Sequence, residues 1–213
     1  MRNTPRTPIE GAYALGQSFW LDYIRRGLIE SGELADLIQR GEIRGMTSNP
    51  TIFEQAIAAS DDYLEALRPL AHAGWPAEKV LDELMVEDVR AAADLFLPLY
   101  EETNGGDGFV SIEVNPKLAY ETDGTLQEVR RLWSMVNRPN LMVKIPATQP
   151  GILAIEEAIS EGINVNITLL FSLDRYAEVI DAYLHGLEAR HRAGESINHV
   201  ASVASLYHRS SVS

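Results

Sequence analysis

The stretch Leu141-Met-Val-Lys-Ile-Pro-Ala-Thr148 (LMVKIPAT) places one lysine inside an apolar run. A continuous apolar run of this length reads as a strand covered on both faces, the pattern of parallel sheets. Leu141, Met142, Val143 and Ile145 would largely desolvate Lys144, which favours the neutral, nucleophilic amine. A structural alternative stands beside this: a lysine that snorkels out of the strand end, or one paired with a nearby carboxylate such as Glu113.

Working outward, similar short runs recur at Phe19–Tyr23, Gly45–Asn49, Phe109–Val114, Asn164–Phe171 and His199–Leu206. Helical periodicity fills the gaps at Ser31–Arg40, Asp61–Ala73, Glu78–Glu102, Thr122–Asn137, Gly151–Ser160 and Ser172–Arg192. Within Thr122–Asn137, Thr125 and Glu128 stand at capping-box spacing. Ser172 reads as an N-cap, and Gly162 as a helix stop. Short strands alternating with helices predict an α/β fold of parallel βα units, the (β/α)8 barrel type, with about six of the eight units present. An open dinucleotide fold fits poorly, because the turn after the first strand, Leu21-Asp-Tyr-Ile-Arg-Arg26, lacks the glycines that such a fold uses. No linker or fixed-period repeat interrupts the chain, so residues 1–213 are expected to form a single, incomplete barrel domain.

Composition narrows the classes. The 213 residues carry a formal net charge of −13 and no cysteine, which removes disulfides and thiolate metal sites. An acidic chain without a basic cluster is not expected to bind nucleic acid. No apolar run approaches the roughly 20 residues of a membrane helix, and the first ten residues lack a signal-peptide core. A cytoplasmic location is the expectation. The five histidines show no ligand spacing, so no metal site is indicated. Asn104–Gly108 (NGGDG) reads as a helix-stop turn rather than a phosphate cradle. Of three lysines, Lys79 falls at a helix start and Lys117 in a loop, leaving Lys144 as the one inside a strand.

Barrel chemistry gathers at the C-terminal ends of strands. Polar residues stand there at Asp22, Asn49, Glu113, Lys144, Asn166 and Thr168. Residues two apart on a strand share a face, so Asn166 pairs with Thr168 in direction, and Ser111 with Glu113. A buried amine with two carboxylates is the equipment for imine chemistry. Each residue also has a plainer use: Asp22 and Glu113 as ion-pair partners, Asn49 as the turn residue before Pro50, Asn166 and Thr168 as buried hydrogen-bonding groups.

The strings TSNPTIF, VSIEVNPKLAYET, LMVKIPAT and GINVNITLLFSLDRY, followed by VASVAS, resemble transaldolases in order and spacing. The wording is most similar to the bacterial branch whose members occur alone or fused to a glucose-phosphate isomerase. The resemblance implies that Lys144 is the Schiff-base lysine, Glu113 the general acid/base and Asp22 the base for the C4 hydroxyl. It places Asn49 and Asn166 on the dihydroxyacetone unit, Thr168 on a catalytic water and Ser205 at the sixth strand. The implied activity moves a dihydroxyacetone unit from fructose 6-phosphate or sedoheptulose 7-phosphate to an aldose phosphate, in the non-oxidative pentose phosphate pathway, with no cofactor. A simple class I fructose 6-phosphate aldolase, or an inactive remnant, is the alternative.

After Ser205 the family wording stops. Tyr207 stands where an aromatic is expected, but Ser210 takes the place of the phosphate-binding arginine, with Arg209 one residue early. A one-residue slip turns a side chain to the opposite face. The expectation is a truncated product, with open sheet edges that invite self-association and with weak or no activity.

Overall fold

A computed structural model describes residues 7–206. They form two compact units: one runs to Val110 and includes Arg138–Asn140, and the other holds Ser111–Asn137 and the chain from Leu141 onward. Tyr207, Arg209 and Ser210 lie outside the described residues.

The first unit contains α1 (Pro8–Ala14), β1 (Trp20–Leu21), α2 (Arg26–Glu30), α3 (Glu33–Gln39), β2 (Gly45–Thr47), α4 (Pro50–Ala59), α5 (Leu64–His72) and the long α6 (Ala77–Glu102). β1 pairs with β2 in parallel, Trp20 beside Gly45 and Leu21 beside Met46. The Met46 N–H then donates to the carbonyl of Phe109, at the entry to β3 (Val110–Glu113), over 2.9 Å. Gly45 has no room for a side chain, since a Cβ there would lie 2.5 Å from the Trp20 ring. α6 buries Val80, Leu84, Val89, Ala92, Ala93 and Phe96, a helical stripe that packs this core with Leu34, Met46, Phe53 and Tyr63.

One polar cluster is embedded in that core. Arg26 Nε donates to Asp88 Oδ1 at 2.8 Å, and Tyr63 OH donates to Asp88 Oδ2 at 2.8 Å. The Tyr63 oxygen in turn accepts the Arg26 backbone N–H. Burial raises the Asp88 carboxyl above its ordinary value, outweighing the lowering pull of Arg26. Burial likewise pushes the Tyr63 phenol upward.

The second unit carries the rest of β3, α7 (Thr122–Val136), β4 (Leu141–Pro146), α8 (Gln149–Ser160), β5 (Val165–Leu170), α9 (Leu173–Arg192) and β6 (Ser202–Leu206). The strands pair in chain order. The Val114 N–H donates to Lys144 O, β4 runs parallel to β5 with Lys144 beside Asn166, and β5 runs parallel to β6 with Asn166 beside Val203. Every residue of β4 is buried, as the apolar run around Lys144 predicts. α8 packs on both α7 and α9. At Gly186 of α9 a Cβ would stand 2.6 Å from the Glu156 carbonyl, so the two helices approach at backbone distance.

Buried asparagines begin two of these strands. Asn140 Nδ2 donates to the carbonyls of Ala93 and Gly108, while Asn164 Nδ2 donates to Leu141 O and its Oδ1 accepts from Ala201 N–H. At Asn164 the amide uses both its donor and its acceptor end on backbone groups at the start of the ladder.

All six expected strands are present, each within the sequence-derived bounds. The helix readings need three corrections. α1, α2 and α4 are additional, being too short or too close to prolines to give a periodic signal. The Asp61–Ala73 segment is split, with a 3₁₀ turn at Asp61–Tyr63 before α5. Thr125 is not an N-cap: it lies inside α7, where its hydroxyl donates to Leu118 O at 2.8 Å, and Glu121 takes the cap position. A capping box does exist at Thr7 and Glu10, at the start of α1. Ser172 caps α9 through the Arg175 N–H, and Gly162 ends α8 in the left-handed region, both as expected. The NGGDG turn stops α6, with Asn104, Gly105 and Gly108 at positive φ. Asp107 there accepts from Ser18 and Arg44.

Candidate active site

In the second unit, four adjacent strands present polar side chains on one face. Lys144 leaves β4 two residues before its end, is only 9% exposed, and points its Nζ at Glu113 Oε2 over 3.4 Å. Glu113 closes β3, its side chain a quarter exposed, so the carboxylate bridges the buried amine and the open side of the site. Lys144 therefore does not snorkel. The Glu113 ion pair of the structural alternative is formed.

Asn166 stands beside Lys144 in register, and paired residues of parallel strands share a face. Its Nδ2 donates to Ser111 Oγ on β3 at 3.0 Å, while Ser205 Oγ on β6 lies 3.4 Å from its Oδ1. Thr168, two residues on, is buried on that same face, and its backbone carbonyl accepts the Ala147 N–H. Lys144, Glu113, Asn166, Thr168 and Ser205 are thus brought together. Ser111 joins them as a residue not singled out for a role in the sequence, although its shared parity with Glu113 was the available signal.

The first unit places the other two residues at strand ends. Asp22 directly follows β1 and is exposed. Asn49 follows β2, and its Oδ1 accepts the Thr51 N–H at 3.0 Å, the use expected of a turn residue before Pro50. Among the described residues no group of three histidines, cysteines or carboxylates is arranged for a metal ion, and no helix is long and apolar enough to cross a membrane.

Loops hold the strand ends in place. Thr148 caps α8 by accepting the Gly151 N–H, and its own hydroxyl donates to Ala119 O in the loop after β3. Thr122 Oγ1 donates to Pro150 O at 2.9 Å, a second tie between the same two loops.

Parallel βα units with a buried lysine and a partner carboxylate at the C-terminal ends of neighbouring strands define an α/β protein of barrel type with a strand-end amine site. The chain belongs to the transaldolase/fructose-6-phosphate aldolase family, whose model matches residues 19–209. It is 47% identical over 192 residues to transaldolase 2 of Nostoc punctiforme, covering 90% of this chain and 50% of that protein. It is 48% identical over 201 residues to the transaldolase of Thermobifida fusca, covering 94% and 55%. The transaldolase of Trichodesmium erythraeum is 48% identical over 193 residues, covering 91% and 51%. The chain spans about half the length of these curated relatives.

Proposed function

We propose that this chain carries the Schiff-base machinery of a transaldolase, with Lys144 as nucleophile. The observation that supports it is the Lys144–Glu113 pair, a largely buried amine 3.4 Å from a strand-end carboxylate, with Asn166 and Thr168 on the same face. The naming of its relatives as transaldolases favours transfer over simple aldol cleavage.

In this mechanism the neutral Nζ of Lys144 adds to the C2 carbonyl of a ketose phosphate and forms a carbinolamine. Glu113, acting through a water, supplies the proton with which the C2 hydroxyl leaves as water, giving the iminium. Asp22 accepts the C4 hydroxyl proton. The C3–C4 bond breaks, its electron pair flows into the iminium to give an enamine, and C4 departs as the aldehyde of an aldose phosphate. A second aldose phosphate then reacts with the enamine, and water releases the product. Asn166 and Asn49 hold the three-carbon unit, Thr168 steadies the water, and Ser205 supports Asn166. An apolar-flanked amine with one adjacent carboxylate supplies the groups that addition and dehydration use. In this assignment the protein works in the cytoplasm and within the pentose phosphate pathway.

Borohydride reduction in the presence of fructose 6-phosphate, read by peptide mass spectrometry, tests it. A reduced dihydroxyacetone adduct on Lys144 is expected. Folded protein that yields no adduct would overturn the assignment. Release of free dihydroxyacetone without any acceptor would move it from transaldolase to aldolase.

A further inference from the structure

β5 contains one residue more than β6 across a short interval. Ile167 pairs with Ala204, but Leu170 pairs with Leu206, so three steps on β5 match two on β6. The extra residue is Leu169, which adopts φ +61°. That left-handed conformation is unfavourable for a leucine and costs nothing for glycine. A bulge of this kind reverses the facing of everything beyond it.

The consequence falls on the site. Asn166 and Thr168 face Lys144, so an unbroken strand would bring Leu170 to that face next. Ser205 is on the site face, since its hydroxyl meets Asn166, and Leu206 is therefore on the other. Leu170, paired with Leu206, turns away and is fully buried. Leu169 itself is 49% exposed and so is not packed into the core.

We propose that the left-handed bulge at Leu169 is a specificity device that keeps Leu170 off the Lys144 face and leaves room, one step beyond Thr168, for the part of the donor beyond C3. It rests on the Schiff-base assignment above. Its natural readout is donor length, because dihydroxyacetone ends at C3 whereas fructose 6-phosphate continues through C6.

Leu169→Val makes the left-handed conformation harder to hold, and Leu169→Gly makes it easier. Adduct formation at Lys144 is followed for both donors in wild type and both variants, with circular dichroism confirming the fold. The valine variant is expected to lose at least tenfold in trapping with fructose 6-phosphate and less than threefold with dihydroxyacetone. The glycine variant should match wild type with both donors and melt no lower. Equal losses with both donors, or no loss at all, would overturn the proposal. If the valine variant does not fold, Leu170→Ala decides: with Leu170 on the far face, it leaves the donor ratio unchanged, and a ratio shifted toward fructose 6-phosphate sinks the idea. Wild-type protein that traps dihydroxyacetone but not fructose 6-phosphate counts against the bulge as a donor device. Protein that traps neither overturns the Schiff-base assignment, and this proposal with it.

Discussion

Asn166 reaches Ser111 over the intervening strand β4, its Nδ2 donating to the serine oxygen at 3.0 Å. In a flat sheet two strands apart are separated by about 9–10 Å, so the side chains must lean toward one another to meet. Barrel interiors are filled in this way, with alternate strands sharing a layer. Ser111→Ala leaves a buried amide N–H without its acceptor. A loss of about 1–3 kcal/mol in urea unfolding is expected. The adduct yield on Lys144 should fall with it, because the Asn166 amide then keeps only the longer Ser205 contact. Ser111→Thr should restore stability if the hydroxyl alone matters.

Lys144→Met separates stability from chemistry. The lysine is buried among apolar neighbours, while the Glu113 side chain is a quarter exposed and can rehydrate once alone. Methionine fills nearly the same volume without a charge to desolvate. Stability is expected to change by less than about 1 kcal/mol, or to rise. The borohydride adduct at position 144 must vanish. A large drop in melting temperature would mean that the ion pair holds β3 to β4 rather than serving the site.

Sequence pattern carried the strands and the strand positions of most candidate site residues for a physical reason. Strands buried on both faces, such as Leu141–Pro146, leave unmistakable apolar runs, and a lysine inside one stands out. Parity then placed Asn166 with Thr168 and Ser111 with Glu113. What parity cannot carry is a change of register. The bulge at Leu169 leaves no signature, because leucine is a residue that normally avoids positive φ. The Thr125 capping box failed for a related reason: its spacing is right, but Glu121 had already begun the helix. Asn140 and Asn164 look like ordinary pre-strand polar residues until their backbone partners are seen. The Arg26–Asp88–Tyr63 cluster joins residues far apart in sequence, and no local pattern announces it.

That cluster gives a pH dependence. The folded Asp88 carboxyl lies above its ordinary value because burial outweighs Arg26. Between the unfolded value, about 4, and the raised folded value, the native protein holds the proton more tightly than the unfolded chain. Its stabilising contribution is therefore full below the unfolded value and is lost as pH rises through the folded one. Asp88→Asn cannot titrate. The difference in urea midpoint between wild type and variant should shift against wild type on going up through that window, then level off. A difference that is constant with pH would mean that Asp88 stays ionised throughout. Tyr63→Phe, which orphans Asp88 Oδ2 and the Arg26 N–H, should cost about 1–3 kcal/mol where Asp88 is ionised.

Gly151 is the tightest constraint next to the site. A Cβ there would stand 2.1 Å from the Pro146 carbonyl and 2.9 Å from Thr148 Oγ1. Its N–H also donates to that Thr148 hydroxyl, which ties α8 to the loop after β3. The closer neighbour is backbone and cannot swing aside, because Pro146 closes β4 two residues beyond Lys144. Gly151→Ala must then push the first turn of α8 away from the strand, at an expected cost of about 1–3 kcal/mol. The displacement would be transmitted through Pro146 to the lysine, so adduct yield should fall further than the stability loss explains. Thr148→Ala removes the same cap without the clash and is expected to cost about 1 kcal/mol while leaving the adduct intact. Equal effects of the two variants on trapping would show that the cap, and not the close approach at Gly151, positions the end of β4.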